Sequence, residues 1–335
     1  MFLRCTRRST TPPLQILLRP APSLWPRTTR GNLTFPRSFS NSIREQNASP
    51  SAISQDELFR RPTRSLKSRV AIITGAGAIG DGIGNARAAA ILLAEDGCNI
   101  VCVDKDETLA QRTVEMIEAE GKGRAVAIAA DVTKSEDCER IVNSAIENYG
   151  RVDILFNCVG IGGAHGTAVD VDMVQWAKGL EVNISTMVLM SKHVIPEMMK
   201  NDRSAGYTGS IINMASVAGL KGGTPHLLYP TSKGAIVNMT RAMAAHHAPA
   251  GIRVNCICPG MVYTPMMYAK GMSEEAREAR KNRNLLKTEG NGWDVGAAVR
   301  YLAGDEARWL TGVILPIDAG ATAAVGTELK KGTSV

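Results

Sequence analysis

The sequence predicts an α/β fold: a single domain on a doubly wound parallel sheet, preceded by a disordered leader. Three observations carry this. From residue 67 onward, apolar runs of strand length alternate with stretches of helical length. The apolar runs are continuous rather than alternating, as in strands buried on both faces. The first run opens into a glycine-rich turn followed by an Ala-rich segment, the strand–turn–helix order of a phosphate-binding unit.

Strands are expected at 70–74, 99–104, 125–129, 153–157, 210–214, 252–258 and 313–317. Helical spacing of apolar residues marks 86–95, 107–120, 135–149 and 174–199, and a further helix opens at Tyr229. No repeat and no second core interrupts this alternation. Residues 67–325 therefore read as one catalytic domain and 326–335 as a tail.

The N-terminus has a different texture. Residues 1–39 hold seven arginines, no lysine and no acid, and are rich in Ser, Thr and Pro. Those arginines equal the net +7 of the whole chain, so residues 40–335 are balanced and offer no net positive field for nucleic acid. An Arg-rich, acid-free leader reads as a mitochondrial transit peptide addressed to the matrix. Arg37-Ser38-Phe39-Ser40 resembles the processing pattern of Arg, any residue, aromatic, then a cut before Ser. The alternative is a retained basic arm on a cytoplasmic protein. Residues 40–66 are polar, without apolar periodicity, and read as a flexible linker. No run of about 18 apolar residues exists, so no membrane span is expected. Seven scattered cysteines form no Cys-x-x-Cys, and no histidine stands at zinc-ligand spacing, so no metal is expected. Cys256 and Cys258 flank one residue of an expected strand and read as buried, reduced thiols facing the same side.

The first strand runs into a loop whose glycines are Gly75, Gly77, Gly80, Gly82 and Gly84, with Ile83 between the last two. Glycines let the backbone turn sharply and approach a diphosphate, and the helix that follows offers free N–H groups and a positive dipole end. Twenty residues past Gly84 the second strand ends at Asp104. A carboxylate there accepts from both hydroxyls of an adenosine ribose and repels a 2′-phosphate, which favours NAD and leaves NADP possible because Lys105 follows. Asp131, after the third strand, stands where an acid meets an adenine amino group or is simply solvated.

Tyr229 and Lys233 share one face of a helix at i, i+4 spacing. A free tyrosine titrates near 10, and a fixed cation beside it favours the phenolate. Ser216 follows the fifth strand, where its hydroxyl can donate to a substrate carbonyl or alkoxide.

Together these residues resemble the short-chain dehydrogenase/reductase family, of the single-domain Tyr-x-x-x-Lys type. The resemblance covers residues 67–321 and rests on several motifs in order. They are the glycine loop, Asp104, Asp131-Val132-Thr133, Asn157-Cys158-Val159-Gly160, Asn183, Ser216, Tyr229-x-x-x-Lys233 and Pro259-Gly260-Met261-Val262-Tyr263-Thr264-Pro265. It implies a Rossmann-like sheet and hydride transfer between a nicotinamide dinucleotide and a secondary alcohol or ketone. It also implies roles. Tyr229 transfers the proton, Lys233 lowers its pKa and holds the nicotinamide ribose, and Ser216 orients the reacting oxygen. Asn183 kinks its helix and relays protons through water. Asp131, Val132, Asn157, Pro259, Gly260, Val262 and Thr264 line the cofactor.

Two departures stand out. Gly82-Ile83-Gly84 begins eight residues after Thr74 rather than the family's five, so the loop is expected to bulge. Cys158 replaces the family's second Asn and cannot copy an amide's hydrogen bonds. His226, just before Tyr229, either lines the pocket or plays no part in it, and His165 is expected as a solvated loop residue. Met261, Met266, Met267 and Met272 suit an apolar lid or plain packing. Apolar content in 174–199 and 234–247 suggests subunit pairing as a homodimer or homotetramer. Two alternatives stay open: an NADPH-linked carbonyl reductase of acyl or polyketide-like substrates, and a non-catalytic dinucleotide sensor. Asp104 argues against the first and the complete Ser–Tyr–Lys–Asn set against the second.

Overall fold

The computed structural model describes residues 61–269 and 271–324. The leader, residues 40–60 of the expected linker and the expected tail lie outside the described residues.

Seven strands form one fully parallel sheet. They are β1 Val70–Thr74, β2 Asn99–Asp104, β3 Ala125–Ala129, β4 Ile154–Asn157, β5 Gly209–Met214, β6 Ile252–Pro259 and β7 Ile314–Ile317, in spatial order 3-2-1-4-5-6-7. The order in which strands are added reverses beside β1, which pairs in parallel with both β2 and β4. In such a sheet the crevice outside the carboxyl ends of the strands at that switch is the ligand site. Thr74, Asp104, Asn157 and Pro259 end their strands there, and Ser216 follows β5 by two residues.

The continuous apolar runs have the expected cause. β1, β4, β5 and β6 are buried throughout, because helices cover both faces. On one face lie α1 (Asn85–Glu95), α2 (Glu107–Glu120) and α9 (Gly292–Ala303). On the other lie α3 (Ser135–Tyr149), α5 (Thr186–Met198) and the end of α6 (Leu228–His247). Alanines let α1 approach its neighbour closely. A Cβ on Gly296 of α9 would stand 2.9 Å from the backbone of Ala88 and Ala89. The outer strands β3 and β7 are only partly buried, and Pro316 is exposed on the β7 edge. An edge tolerates proline, which has no N–H to give a further neighbour.

Two elements differ from expectation. The helix expected at 174–199 is broken into α4 (Met173–Leu180), a π-helical turn Glu181–Ser185 and α5. Apolar spacing runs straight through this break, so periodicity alone did not show it. The linker also ends sooner than residue 66. Arg64 pairs with Asp96 at 3.0 Å, while Leu66 is buried and donates its N–H to the Asp96 carbonyl at 2.8 Å.

Candidate active site

The glycine loop leaves β1 at Gly75, whose φ of +68° is left-handed and suits a residue without Cβ. Gly77 then donates its N–H to Asp104 Oδ2 at 2.9 Å. A Cβ on Gly77 would lie 2.7 Å from that oxygen, so only glycine brings the two strand ends this close. Asp104 Oδ1 accepts from Asp106 N–H at 3.2 Å. Lys105, expected to soften the charge of Asp104, is instead paired with Asp131 at 2.9 Å. Burial works against the Asp131 carboxylate. Hydrogen bonds from Lys105 and from the Thr133 hydroxyl and N–H outweigh it and pull the carboxyl down to about 2.

The three extra residues do bulge. Gly80 takes a left-handed turn at φ +55°. Gly82 packs under the short α7 (Pro265–Tyr268), where a Cβ would meet Pro265 Cγ at 2.5 Å. Gly84 precedes α1 with no side-chain cap, which leaves the first amides of the helix open to a ligand. Ile83 presents its carbonyl to the start of α9, where a Cβ on Gly292 would crowd it at 2.7 Å.

Asn157 is buried, and its Nδ2 donates to Asn213 Oδ1 at 3.0 Å across the β4–β5 register. Its side chain is therefore committed within the sheet. Cys158 changes nothing here. The tie between β1 and β4 runs from the Cys158 backbone N–H to Thr74 Oγ1 at 3.1 Å, and Thr74 donates on to the Phe156 carbonyl. Val132 is buried below the Asp131 turn. Gly260 N–H bonds the Ile317 carbonyl at 2.9 Å, Val262 N–H bonds the Gly260 carbonyl at 3.0 Å, and Thr264 opens α7.

The Ser–Tyr–Lys–Asn set converges. Lys233 is buried, and its Nζ donates to the Met214 carbonyl at 2.9 Å and lies 5.7 Å from the Tyr229 ring centroid. Asn183, in the π turn, is buried completely. Its amide bonds both backbone groups of Ile161, donating to the carbonyl at 3.0 Å and accepting the N–H at 2.8 Å, and donates to Ser232 Oγ at 3.0 Å. A Cβ on Gly160 would stand 3.2 Å from Lys233 Nζ and 3.4 Å from Asn183 Oδ1. Glycine thus leaves one small space between these two polar groups.

Charge in this set follows burial. Burial raises the Tyr229 phenol, against the pull of a hydrogen bond with Ser216. Burial also draws the Lys233 ammonium down to about 8, against the neighbouring thiols of Cys158, Cys256 and Cys258. Burial outweighs the lowering of Tyr229 expected from Lys233, whose ammonium lies over the face of the ring and donates to a carbonyl.

Around the site, His226 Nδ1 accepts from Gly166 N–H at 3.1 Å, and its ring stacks on the exposed His165 at 4.2 Å. Cys256 and Cys258 are buried with sulfurs 3.9 Å apart and are free thiols. Met266 is largely exposed. Among the described residues no cluster of three metal-ligating side chains occurs, and no helix is long and apolar enough to cross a membrane. The sequence reading missed Arg87, whose side chain is fully buried against the glycine loop. Its signal was the one basic residue on an otherwise largely apolar, Ala-rich helix.

The residues present fit a dinucleotide. Glycines clear the approach to the first turn, open amides face it, and Asn85 Oδ1 is buried without a partner at the first position of α1.

A family model described as "Enoyl-(Acyl carrier protein) reductase" matches residues 77–322. Meso-2,3-butanediol dehydrogenase of Serratia marcescens is 35% identical over 260 residues, 77% of this chain and 96% of that one. The 2-(S)-hydroxypropyl-CoM dehydrogenase 3 of Xanthobacter autotrophicus is 36% identical over 77% of this chain and 98% of its own. A solved 7α-hydroxysteroid dehydrogenase, complexed with NADH and 7-oxo glycochenodeoxycholic acid, superposes with a TM-score of 0.69 at 30% identity. It covers 77% of this chain and 95% of that structure. The chain belongs to the short-chain dehydrogenase/reductase family. Within it, this protein is an oxidoreductase that interconverts a secondary alcohol and a ketone with a nicotinamide dinucleotide.

Proposed function

We propose that the protein is an NAD-linked dehydrogenase of a partly apolar secondary alcohol, acting in the mitochondrial matrix as a homodimer or homotetramer. The observation that carries the cofactor choice is the Asp104 carboxylate, fixed at the end of β2 against Gly77 N–H. Lys105, the cation next to it, is engaged by Asp131. A 2′-phosphate would therefore meet an uncompensated carboxylate, whereas a ribose diol would meet an acceptor.

Bound nicotinamide dinucleotide supplies the hydride chemistry. Tyr229 moves the proton at the substrate oxygen. Raised by burial, its phenol is held protonated at neutral pH, ready to donate to a ketone oxygen. Ser216, just past the end of β5, orients that oxygen. Lys233 contributes a buried positive charge that favours the phenolate once the proton has left. Asn183 fixes the loop at Ile161 and faces Lys233 across the space at Gly160, where a water can pass the proton on.

The test is a screen of purified residues 40–335 with NAD and NADP against a panel of secondary alcohols and ketones. NAD-dependent turnover of at least one pair is expected. Turnover with NADP alone overturns the cofactor choice.

A further inference from the structure

Arg87 is a fully buried cation that the reaction does not use. It lies on the first turn of α1 with its side chain completely shielded. Nη1 donates to the carbonyls of Gly80 at 2.7 Å and Gly82 at 2.8 Å. Nη2 donates to the carbonyls of Ala78 at 2.9 Å and Leu109 at 3.3 Å. Nε donates to Thr113 Oγ1 at 2.9 Å, and Thr113 in turn donates to the Ala76 carbonyl at 2.7 Å. No carboxylate forms an ion pair with this guanidinium among the described residues. The one acid of the loop, Asp81, is held outward by Arg112 at 2.7 Å.

The pattern in the loop is alternate. Carbonyls 78, 80 and 82 turn inward to Arg87. In a planar trans peptide the N–H points opposite to its carbonyl, so the amides of Ile79, Asp81 and Ile83 turn the other way. Among the described residues none of these three amides has a hydrogen-bond partner. Successive outward N–H groups beside a helix N-terminus form an anion-binding concavity. The three inserted residues fall within this stretch.

We propose that Arg87 is the positioning residue of the lengthened phosphate loop: it gathers the inward carbonyls, turns alternate amides toward the diphosphate of the dinucleotide, and sets one buried positive charge behind them. This rests on the reading that residues 74–84 hold a dinucleotide. A buried cation without a carboxylate partner is costly, and a bound diphosphate supplies the missing counter-charge. Arg87 thus serves the phosphates and touches neither nicotinamide nor substrate.

The test uses ADP-ribose, which carries the diphosphate without the nicotinamide, and adenosine, which carries no phosphate. Binding to the full chain is followed by calorimetry or by competition with NADH fluorescence. Arg87→Met is expected to weaken ADP-ribose by about 10- to 100-fold, the range for losing bonds to a charged group. Adenosine is expected to stay within about twofold. Arg87→Lys keeps the charge but cannot span the carbonyls with a planar fork, so it should fall between. A general loosening of the domain would weaken adenosine as well, which separates positioning from plain stability. If Arg87→Met does not fold, Thr113→Val removes the acceptor of Nε with nearly the same shape and should weaken ADP-ribose several-fold, with adenosine unchanged. Equal ADP-ribose affinity in wild type and folded variants overturns the proposal. Failure of wild type to bind either ADP-ribose or NADH overturns the dinucleotide reading instead.

Discussion

Asp104 accepts the backbone N–H of Gly77 at 2.9 Å, so the carboxylate ending β2 is locked to the turn that ends β1. The two strands are neighbours in register, Thr74 opposite Val103, and the bond fixes where the acid can point. On the proposed reading Asp104 is both a structural tie and the group that selects NAD, and two substitutions separate those jobs. Asp104→Ala removes both and should lower kcat/KM for NAD about tenfold or more, narrowing its lead over NADP. Asp104→Asn keeps an acceptor for Gly77 but loses the charge, so NADP should gain more than NAD loses. Steady-state kinetics with both cofactors decide it. A wild type that prefers NADP by about tenfold refutes the reading of Asp104.

Lys233 gives the reaction a pH limb. Its ammonium is drawn by burial to about 8, so the charge is present below that pH and lost above it. Tyr229, raised by burial, keeps its proton through neutral pH. Both groups are then in the form that suits ketone reduction below about pH 8. Reduction kcat/KM should be flat at neutral pH and fall as pH rises through about 8. In Lys233→Met that limb should vanish and the residual rate should be low throughout, with weaker NADH binding. A flat wild-type profile to pH 10, about two units further, refutes this.

Much of this was legible in the sequence, for a physical reason. Strands buried on both faces are mostly apolar, so β1, β2, β4, β5 and β6 announce themselves, and the residues ending them fall at the crevice by topology. What was hidden depends on contacts between distant segments. The π turn that places Asn183 leaves apolar spacing unchanged on either side. The commitment of Asn157 to Asn213 exists only once β4 and β5 are in register. Arg87 reads locally as an odd charge on an apolar helix, and its meaning appears only when the loop folds back over it. The high pKa of Tyr229 reflects its surroundings rather than its spacing from Lys233.

The leader carries its own test. Seven arginines without an acid in residues 1–39 should direct a fluorescent fusion of residues 1–45 to mitochondria, and the mature N-terminus should map near Ser40 by mass spectrometry. Cytosolic fluorescence of that fusion would remove the matrix assignment and leave a retained basic arm.

Assembly is expected from the surface. Met173 and Val174 on α4 and Val188 on α5 are exposed, and Trp309 before β7 is almost wholly so. Large apolar side chains left exposed on these elements suit contact surfaces between subunits. Sedimentation at micromolar concentration should show a dimer or tetramer, and Val174→Glu should shift the population toward smaller species. A wild type that stays monomeric contradicts the assignment.

The sharpest test is at Tyr229. Tyr229→Phe removes one oxygen and keeps the ring against Lys233, so the fold and NADH binding should survive. Proton transfer by a positioned group contributes about 10²–10⁴-fold, and kcat should fall by at least the lower figure. Ser216→Ala should cost about 10²–10³-fold if its hydroxyl holds the reacting oxygen as an oxyanion-type donor. The two losses should not add fully, because on the proposed mechanism Ser216 and Tyr229 serve the same oxygen. The double variant should therefore be little slower than Tyr229→Phe alone. NADH titration by fluorescence provides the control that the cofactor site is intact. A Tyr229→Phe enzyme keeping more than about a tenth of wild-type kcat on its best substrate would mean that another group moves the proton, since loss of the proton donor should cost far more.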